Sequence, residues 1–198
     1  MNSYDVVIIG GGVIGAATAY YLSLEDISVA LLEKGDLASG TSSGCDGNIL
    51  ISDKQPGIDT EMTFLSQKLL KELVENIPHQ FEYKQPGSLL VIESEEELKA
   101  ACSFVSKQVE DGFPMRILTG EELLVQEPYF APDVLGAVEI DCDAALNPMA
   151  LVFGLLKEAE KNGVDIFKFS PVTGLELGKG GGIKGVMTSR GRFVTDHI

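Results

Sequence analysis

The stretch Asp5–Glu33, DVVIIGGGVIGAATAYYLSLEDISVALLE, constrains the fold of this chain more than any other. Val6, Val7, Ile8 and Ile9 form the short apolar run expected of a parallel strand covered on both faces. Gly10, Gly12 and Gly15 follow with G-x-G-x-x-G spacing, and a helical pattern runs through Ala16, Ala17, Ala19, Tyr20 and Leu22. Ile27 to Leu32 reads as a second apolar strand ending in Glu33. Each glycine has a mechanical role at such a junction. Gly10 permits a tight turn, Gly12 lets the backbone approach a pyrophosphate, and Gly15 lets the helix pack closely on the strand. Phosphates placed there face free amides and the positive end of the helix dipole. Glu33 lies 21 positions after Gly12, near the spacing of about 20 at which an acid accepts from ribose hydroxyls. Its charge would repel a ribose 2′-phosphate, which argues against NADP. Strand, fingerprint, helix, strand and acid in this order predict a dinucleotide-binding α/β fold.

Composition narrows the function. Fifteen basic against thirty acidic residues leave a formal charge of −15, which disfavours nucleic acid and anionic membrane surfaces as partners. A 44% hydrophobic content over 198 residues is enough for one domain or two small ones. No apolar run reaches the 18 or so residues of a membrane span, and the fingerprint begins so near Met1 that no signal peptide is expected before it. The expectation is a cytoplasmic protein. Cys45, Cys102 and Cys142 are widely separated and lack C-x-x-C spacing, so neither a disulfide framework nor a zinc site is indicated.

Residues 40–48, GTSSGCDGN, have no apolar period and read as a loop. Hydroxyls of Thr41, Ser42 and Ser43 can bond phosphate or ribitol oxygens, while Gly44 and Gly47 allow the backbone to pass close to a flat ring. The N-terminal DVVIIGGGVIGAATAYYLS, the acid at Glu33 and the following SGTSSGCDGNI together resemble the FAD-dependent amine and amino-acid oxidoreductases related to D-amino-acid oxidase. That group includes glycine oxidase, the sarcosine oxidase beta subunit and hydroxyproline dehydrogenase. GSLLVIESEEEL, EPYF, ALNPMALVFGLLKEAEKNGVDI and the meander VTGLEL…IKGVMTSRGRFVTDHI follow in the family's order.

The resemblance implies a Rossmann-like FAD-binding domain with a β-meander, made of residues 1–52 and 143–198 and interrupted by an α+β substrate-domain portion at 53–142. It implies FAD contacts from Gly10, Gly12, Val13, Ile14, Gly15, Glu33, Lys34, Thr41, Ser42, Ser43, Gly47 and Asn48, with the backbone of Val172 meeting the adenine edge. It also implies that the chain corresponds to the N-terminal half of such an enzyme, with a partner subunit or self-association expected and oxygen, a quinone or a carrier protein as electron acceptor.

In the inserted segment, Leu65, Leu69, Leu70, Leu73, Val74 and Ile77 recur at helical spacing, predicting a core-facing helix from about 61 to 76. Leu89–Ile92 and Gly136–Ile140 read as strands. Ser94 with Glu97, and Thr119 with Glu122, are capping-box patterns. Asn147 and Pro148 start a helix that Asn162 and Gly163 end. Val164–Phe169 reads as the next strand, and Leu175–Leu177, Ile183–Thr188 and Arg192–Thr195 as a meander.

No catalytic residue is assigned. An amino-acid carboxylate is best gripped by a bidentate arginine. Arg190 and Arg192 fall at the meander turn, and Arg116 precedes an exposed-looking turn. His79 and His197 read as structural or exposed. With nothing cationic beside it, Cys45 reads as a packed small residue rather than a flavin-linking or redox thiol. Asp141 and Asp143 lack further ligands and read as a solvated loop rather than a metal site. Three functions stand open: oxidation of a small amine or amino acid, oxidation of a glycerol-3-phosphate-type alcohol, and non-catalytic dinucleotide binding.

Overall fold

The computed structural model describes residues 2–198. In chain order it forms β1 (Asn2–Ser3), β2 (Val6–Ile9), α1 (Val13–Leu22), β3 (Val29–Leu32), α2 (Thr41–Gly44), β4 (Asn48–Ile49), α3 (Ile58–Asn76), β5 (Ser88–Ile92) and α4 (Glu95–Glu110). There follow β6 (Arg116–Thr119), α5 (Gly120–Gln126), β7 (Gly136–Ile140), β8 (Ala144–Ala145), α6 (Pro148–Lys161), β9 (Asp165–Phe167), β10 (Val172–Leu177), β11 (Ile183–Thr188) and β12 (Gly191–Val194). The chain divides into two compact units. One comprises the described residues through Asp46, Asn76–Phe81 and Asn147–Ile198; the other comprises Gly47–Glu75 and Glu82–Leu146. These breaks differ by four to six residues from the ends of the expected insertion at 53–142, and Asn76–Phe81 falls within the first unit.

The first unit is built on the parallel sheet β2-β3-β9. Val7 pairs with Ala30 and Leu31 with Ile166. Alternation then sends Val7, Ala30 and Leu32 to one face, where they pack with Val186 and Phe193 of the meander sheet β1-β12-β11-β10. The opposite face carries Ile8 and Leu31, and Ala16 and Ala19 of α1 are fully buried. α6 buries Leu151, Val152, Leu155, Leu156 and Ala159, whose spacing gives one continuous apolar side. Asn147 caps α6 by accepting from the amides of Met149 and Ala150, with Pro148 in the first turn. Strand β9 covers only Asp165–Phe167 of the expected Val164–Phe169, and past its end Phe169 adopts φ 54°, a left-handed conformation incompatible with a continuing ladder. Beyond β12 the chain returns to β2: the Val7 amide donates to the His197 carbonyl, and Val6 bridges His197 in parallel.

The second unit has the antiparallel sheet β5-β7-β6. Ile92, Val138 and Ile140 join Ile51, Ala101, Phe113 and Met115 in one cluster, and Leu118, Leu123, Val134 and Ala137 form another. The capping boxes at Ser94 and Thr119 are both complete. Arg116, expected before a turn, opens β6 and pairs with Glu139 of β7. Two sequence expectations fail here. The apolar positions of α3 do not all face the core: Leu73 is buried, but Leu65 and Leu69 are exposed, and the buried polar residues Thr60 and Gln67 occupy the inner side. Asp143, expected in a solvated loop, is only 1% exposed and accepts from the Ile51 amide and the Ser88 hydroxyl. Asp141 is exposed as expected.

Candidate functional site

A cavity of about 1110 Å³ lies in the first unit at the C-terminal end of β2. Such a position, outside the carboxyl ends of parallel strands, is where open α/β sheets bind ligands. The fold requires glycine around it. Gly10 sits at φ 111°, and a Cβ on Gly15 would lie 2.0 Å from the Gly10 carbonyl oxygen. α1 can therefore start this close to β2 only with no side chain at position 15.

Glu33 acts from the end of β3. Its Oε2 accepts from the Gly11 amide at 2.7 Å, and its Oε1 accepts from the Gly35 amide at 2.8 Å. The carboxylate thus staples the glycine turn to the following loop. The Gly11 carbonyl meanwhile accepts from Ala38, which is held at φ 61°. A left-handed non-glycine residue costs about 1–2 kcal/mol. The second lone pair of each Glu33 oxygen remains able to accept from a ribose hydroxyl.

The N-cap of α1, Gly12, has no side chain to cap with. Ser42 does so from the α2 turn, its Oγ accepting from the Val13 amide at 3.0 Å. The hydroxyl hydrogen of Ser42 is left to donate to an anion at the helix N-terminus. No acidic residue occupies the first turn of α1, so the dipole there is uncompensated.

The structure brings most of the expected site residues to this cavity. Gly10, Gly12, Val13, Ile14, Gly15, Glu33, Lys34, Thr41 and Ser42 all line it. Ser43 does not; its hydroxyl donates to the Gly40 carbonyl in the α2 turn, and the stretch expected to be wholly loop contains that helical turn. Gly47 and Asn48 fall in the second unit, where Asn48 pairs with Ala145. Val172 is in β10, paired with Thr188 and packed on the first unit's core. Cys45, read as packed, is exposed and lines the cavity.

The sequence reading passed over two positions. Gly11 fills an unspecified place in the fingerprint, yet a Cβ there would come within 2.7 Å of Leu37 Cδ2 and 3.2 Å of Glu33 Cβ. Ala38 lines the wall in a conformation that its residue type does not advertise. Among the described residues, no group of three or more His, Cys, Asp or Glu side chains could hold a metal ion, and no helix is long and apolar enough to cross a membrane.

A model of the FAD dependent oxidoreductase family matches residues 5–198. The mitochondrial pyruvate dehydrogenase phosphatase regulatory subunit of Mus musculus is 30% identical over 98% of this chain and 22% of its own length. Glycine oxidase from Bacillus subtilis is 29% identical over 98% of this chain and 53% of its own. The dithionite-reduced L-alpha-glycerophosphate oxidase from Mycoplasma pneumoniae, solved with FAD bound, superposes with a TM-score of 0.90 at 28% identity, covering 99% of this chain and 53% of that one. The chain therefore spans about half the length of two of these proteins and less of the other.

The cavity fits an adenine dinucleotide in three respects: a helix N-terminus without a Cβ at Gly12, a carboxylate at Glu33 with acceptor capacity to spare, and hydroxyls at Thr41 and Ser42. With almost the whole chain matched by the family model and the glycine-fingerprint cavity built as that family's cofactor requires, this chain belongs to the FAD dependent oxidoreductases.

Proposed function

We propose that this chain is the nucleotide-binding half of an enzyme that oxidises a C–N bond of a small amine or amino acid to the imine. When bound, FAD supplies the redox chemistry by accepting a hydride from the carbon that bears nitrogen. The chain's own residues bind and orient. Gly12 admits the pyrophosphate, the α1 N-terminus and the Ser42 hydroxyl donate to it, Glu33 accepts from the ribose, and Thr41 continues the hydroxyl row. Gly47, Asn48 and Val172 belong to the same proposed contact set.

The observation that favours an amine over a phosphorylated alcohol is electrostatic. Residues 40–48 contain no basic residue, and Lys34 is the single cation among the described residues lining the cavity. With the FAD pyrophosphate held at the α1 N-terminus, a phosphate-bearing substrate would need cations of its own, and the 40–48 loop offers none. Similarity to a glycerophosphate oxidase keeps the alcohol reading as the competing one.

Because the chain spans about half of the flavoenzymes it resembles, we propose that further polypeptide, in cis or as a partner subunit, supplies the substrate clamp. Anaerobic flavin bleaching of the completed enzyme with glycine, sarcosine, proline, D-amino acids and glycerol 3-phosphate tests the reading. Reduction by an amine is the expected result. Reduction by glycerol 3-phosphate alone selects the competing reading, and release of only a nicotinamide nucleotide on denaturation would overturn both.

A further inference from the structure

Helix α3 carries an apolar stripe that the fold does not cover. Ile58, Met62, Leu65 and Leu69 are 67%, 63%, 57% and 37% exposed. Their spacing of four, three and four residues is that of two successive heptad seams, with Met62 and Leu69 at one core position and Ile58 and Leu65 at the other. The helix is rigidly placed in its own unit by its opposite side, where Thr60 and Gln67 are buried and hydrogen-bonded. A stripe of four large apolar residues at heptad spacing fits another helix better than it fits water.

We propose that the α3 stripe is a self-association surface, on which a second copy of this chain seats its own α3 antiparallel about a two-fold axis. The stripe is apolar throughout, so the charges on its flank decide the register. A two-fold centred between Thr63 and Phe64 sets Ile58 against the partner's Leu69 and Met62 against the partner's Leu65, so all four residues of each copy find an apolar mate. Glu61 and Lys68 are seven residues apart, hence on the same flank of the stripe. In antiparallel seams that flank meets its own equivalent, so Glu61 of each copy faces the partner's Lys68 and two symmetric ion pairs close the interface. Both side chains are exposed, and neither appears in an ion pair among the described residues. Parallel pairing would instead face Glu61 with Ser66 and Lys68 with Leu73, without charge complementarity. The inference does not depend on which substrate is oxidised, but it requires that the further polypeptide proposed to supply the substrate clamp leaves α3 uncovered.

Two heptads of seam fall short of the roughly 800 Å² per partner of a standard interface. The association is therefore weak, with a dissociation constant on the order of 10–100 µM. Sedimentation velocity of the 198-residue chain from about 5 to 500 µM tests it. A concentration-dependent dimer is expected. Leu65→Glu, which puts a charge at the centre of the seam, raises the dissociation constant at least tenfold. Glu61→Lys and Lys68→Glu each weaken the dimer singly, and the double variant restores it to within about threefold. Circular dichroism of each variant separates a lost interface from a lost fold, since all three positions are exposed. A chain that stays monomeric throughout the range, or a dimer indifferent to Leu65→Glu, overturns the proposal. Failure of the double variant to restore association overturns the antiparallel register.

Discussion

The Gly11 amide donates a 2.7 Å hydrogen bond to Oε2 of Glu33, so the acid at the end of β3 and the middle of the glycine turn are one structural unit before any nucleotide enters. The bond gives Glu33 a role that its spacing from the fingerprint does not reveal. A residue that only met a ribose would matter to cofactor affinity alone. One that also holds Gly11 and Gly35 matters to the apoprotein as well.

Replacing Glu33 by Ala should therefore destabilise the apoprotein by about 1–3 kcal/mol, the scale for leaving two amides without their charged acceptor at a half-buried site. That corresponds to roughly 2–4 °C in Tm per kcal/mol for a chain of this size. Glu33→Gln keeps one acceptor oxygen and should fall between. Thermal melts before and after flavin removal separate the two roles, and an apoprotein melt unchanged by Glu33→Ala would reduce Glu33 to a ribose contact.

Two fingerprint glycines should fail differently. A Cβ on Gly15 meets a backbone oxygen at 2.0 Å, which nothing but movement of α1 can relieve. Gly15→Ala should cost about 2–4 kcal/mol of fold stability, the range for a forced core displacement. A Cβ on Gly12 meets only Ser42 Oγ at 3.1 Å, a side-chain atom that can turn away. Gly12→Ala should leave the melt within about 1 kcal/mol of wild type yet weaken FAD retention at least tenfold, because the methyl occupies the space left for phosphate. Urea unfolding and flavin fluorescence titration, run on both variants, should rank them in opposite orders.

Tyr4 offers a titration in the alkaline range. Its pKa is pushed up to about 12, first by burial, then by the 2.7 Å hydrogen bond to Asp165 and the charge of that carboxylate. Rings of Phe167 and Phe193 pack around it. An unfolded tyrosine titrates near 10, so the folded state holds this proton more tightly. Its contribution to stability is complete below about pH 10, declines between 10 and 12, and is absent above 12. Denaturant unfolding should weaken over that window in the wild type and less in Tyr4→Phe. Phenolate absorbance assigning Tyr4 a value near 10 in the folded protein would contradict this.

What could be read in advance depended on how local its physics is. The helix α1 and the capping devices at Ser94, Thr119 and Asn147 depend on residues a few positions apart, and the parallel pair β2 and β3, though 23 positions apart, is announced by the strand, glycine-turn and helix run that joins them. They could be read from spacing. Ser42 capping α1 spans 29 positions, and Asp143 bonding Ile51 spans 92. No local pattern announces either contact. The α3 misreading has a different cause, because apolar periodicity shows that a helix has two sides but not which side the fold covers. The outer side of α3 holds larger apolar residues than an inner side that settles for Thr60 and Gln67.

Asp143 joins two segments of the second unit through one buried side chain. Its carboxylate is buried, with Oδ1 accepting from the Ile51 amide and Oδ2 from the Ser88 hydroxyl, both at 2.6 Å. Its backbone carbonyl also accepts from the Gly87 amide at 3.1 Å. One residue thus ties the segment after β4 to the start of β5, beside fully buried Ile51 and Ile140. Removing the carboxylate leaves a buried amide and a hydroxyl without acceptors, so Asp143→Ala should cost about 2–4 kcal/mol. Asp143→Asn can keep Oδ1 toward Ile51 while its amide donates to Ser88 Oγ, and should cost about 1 kcal/mol or less. Ser88→Ala should cost about 1 kcal/mol alone and, because it shares the bond, should add less than its full effect to Asp143→Ala. Urea unfolding of the four proteins gives the coupling directly. Full additivity of the two alanine variants would mean that Asp143 stabilises this unit through the Ile51 amide alone.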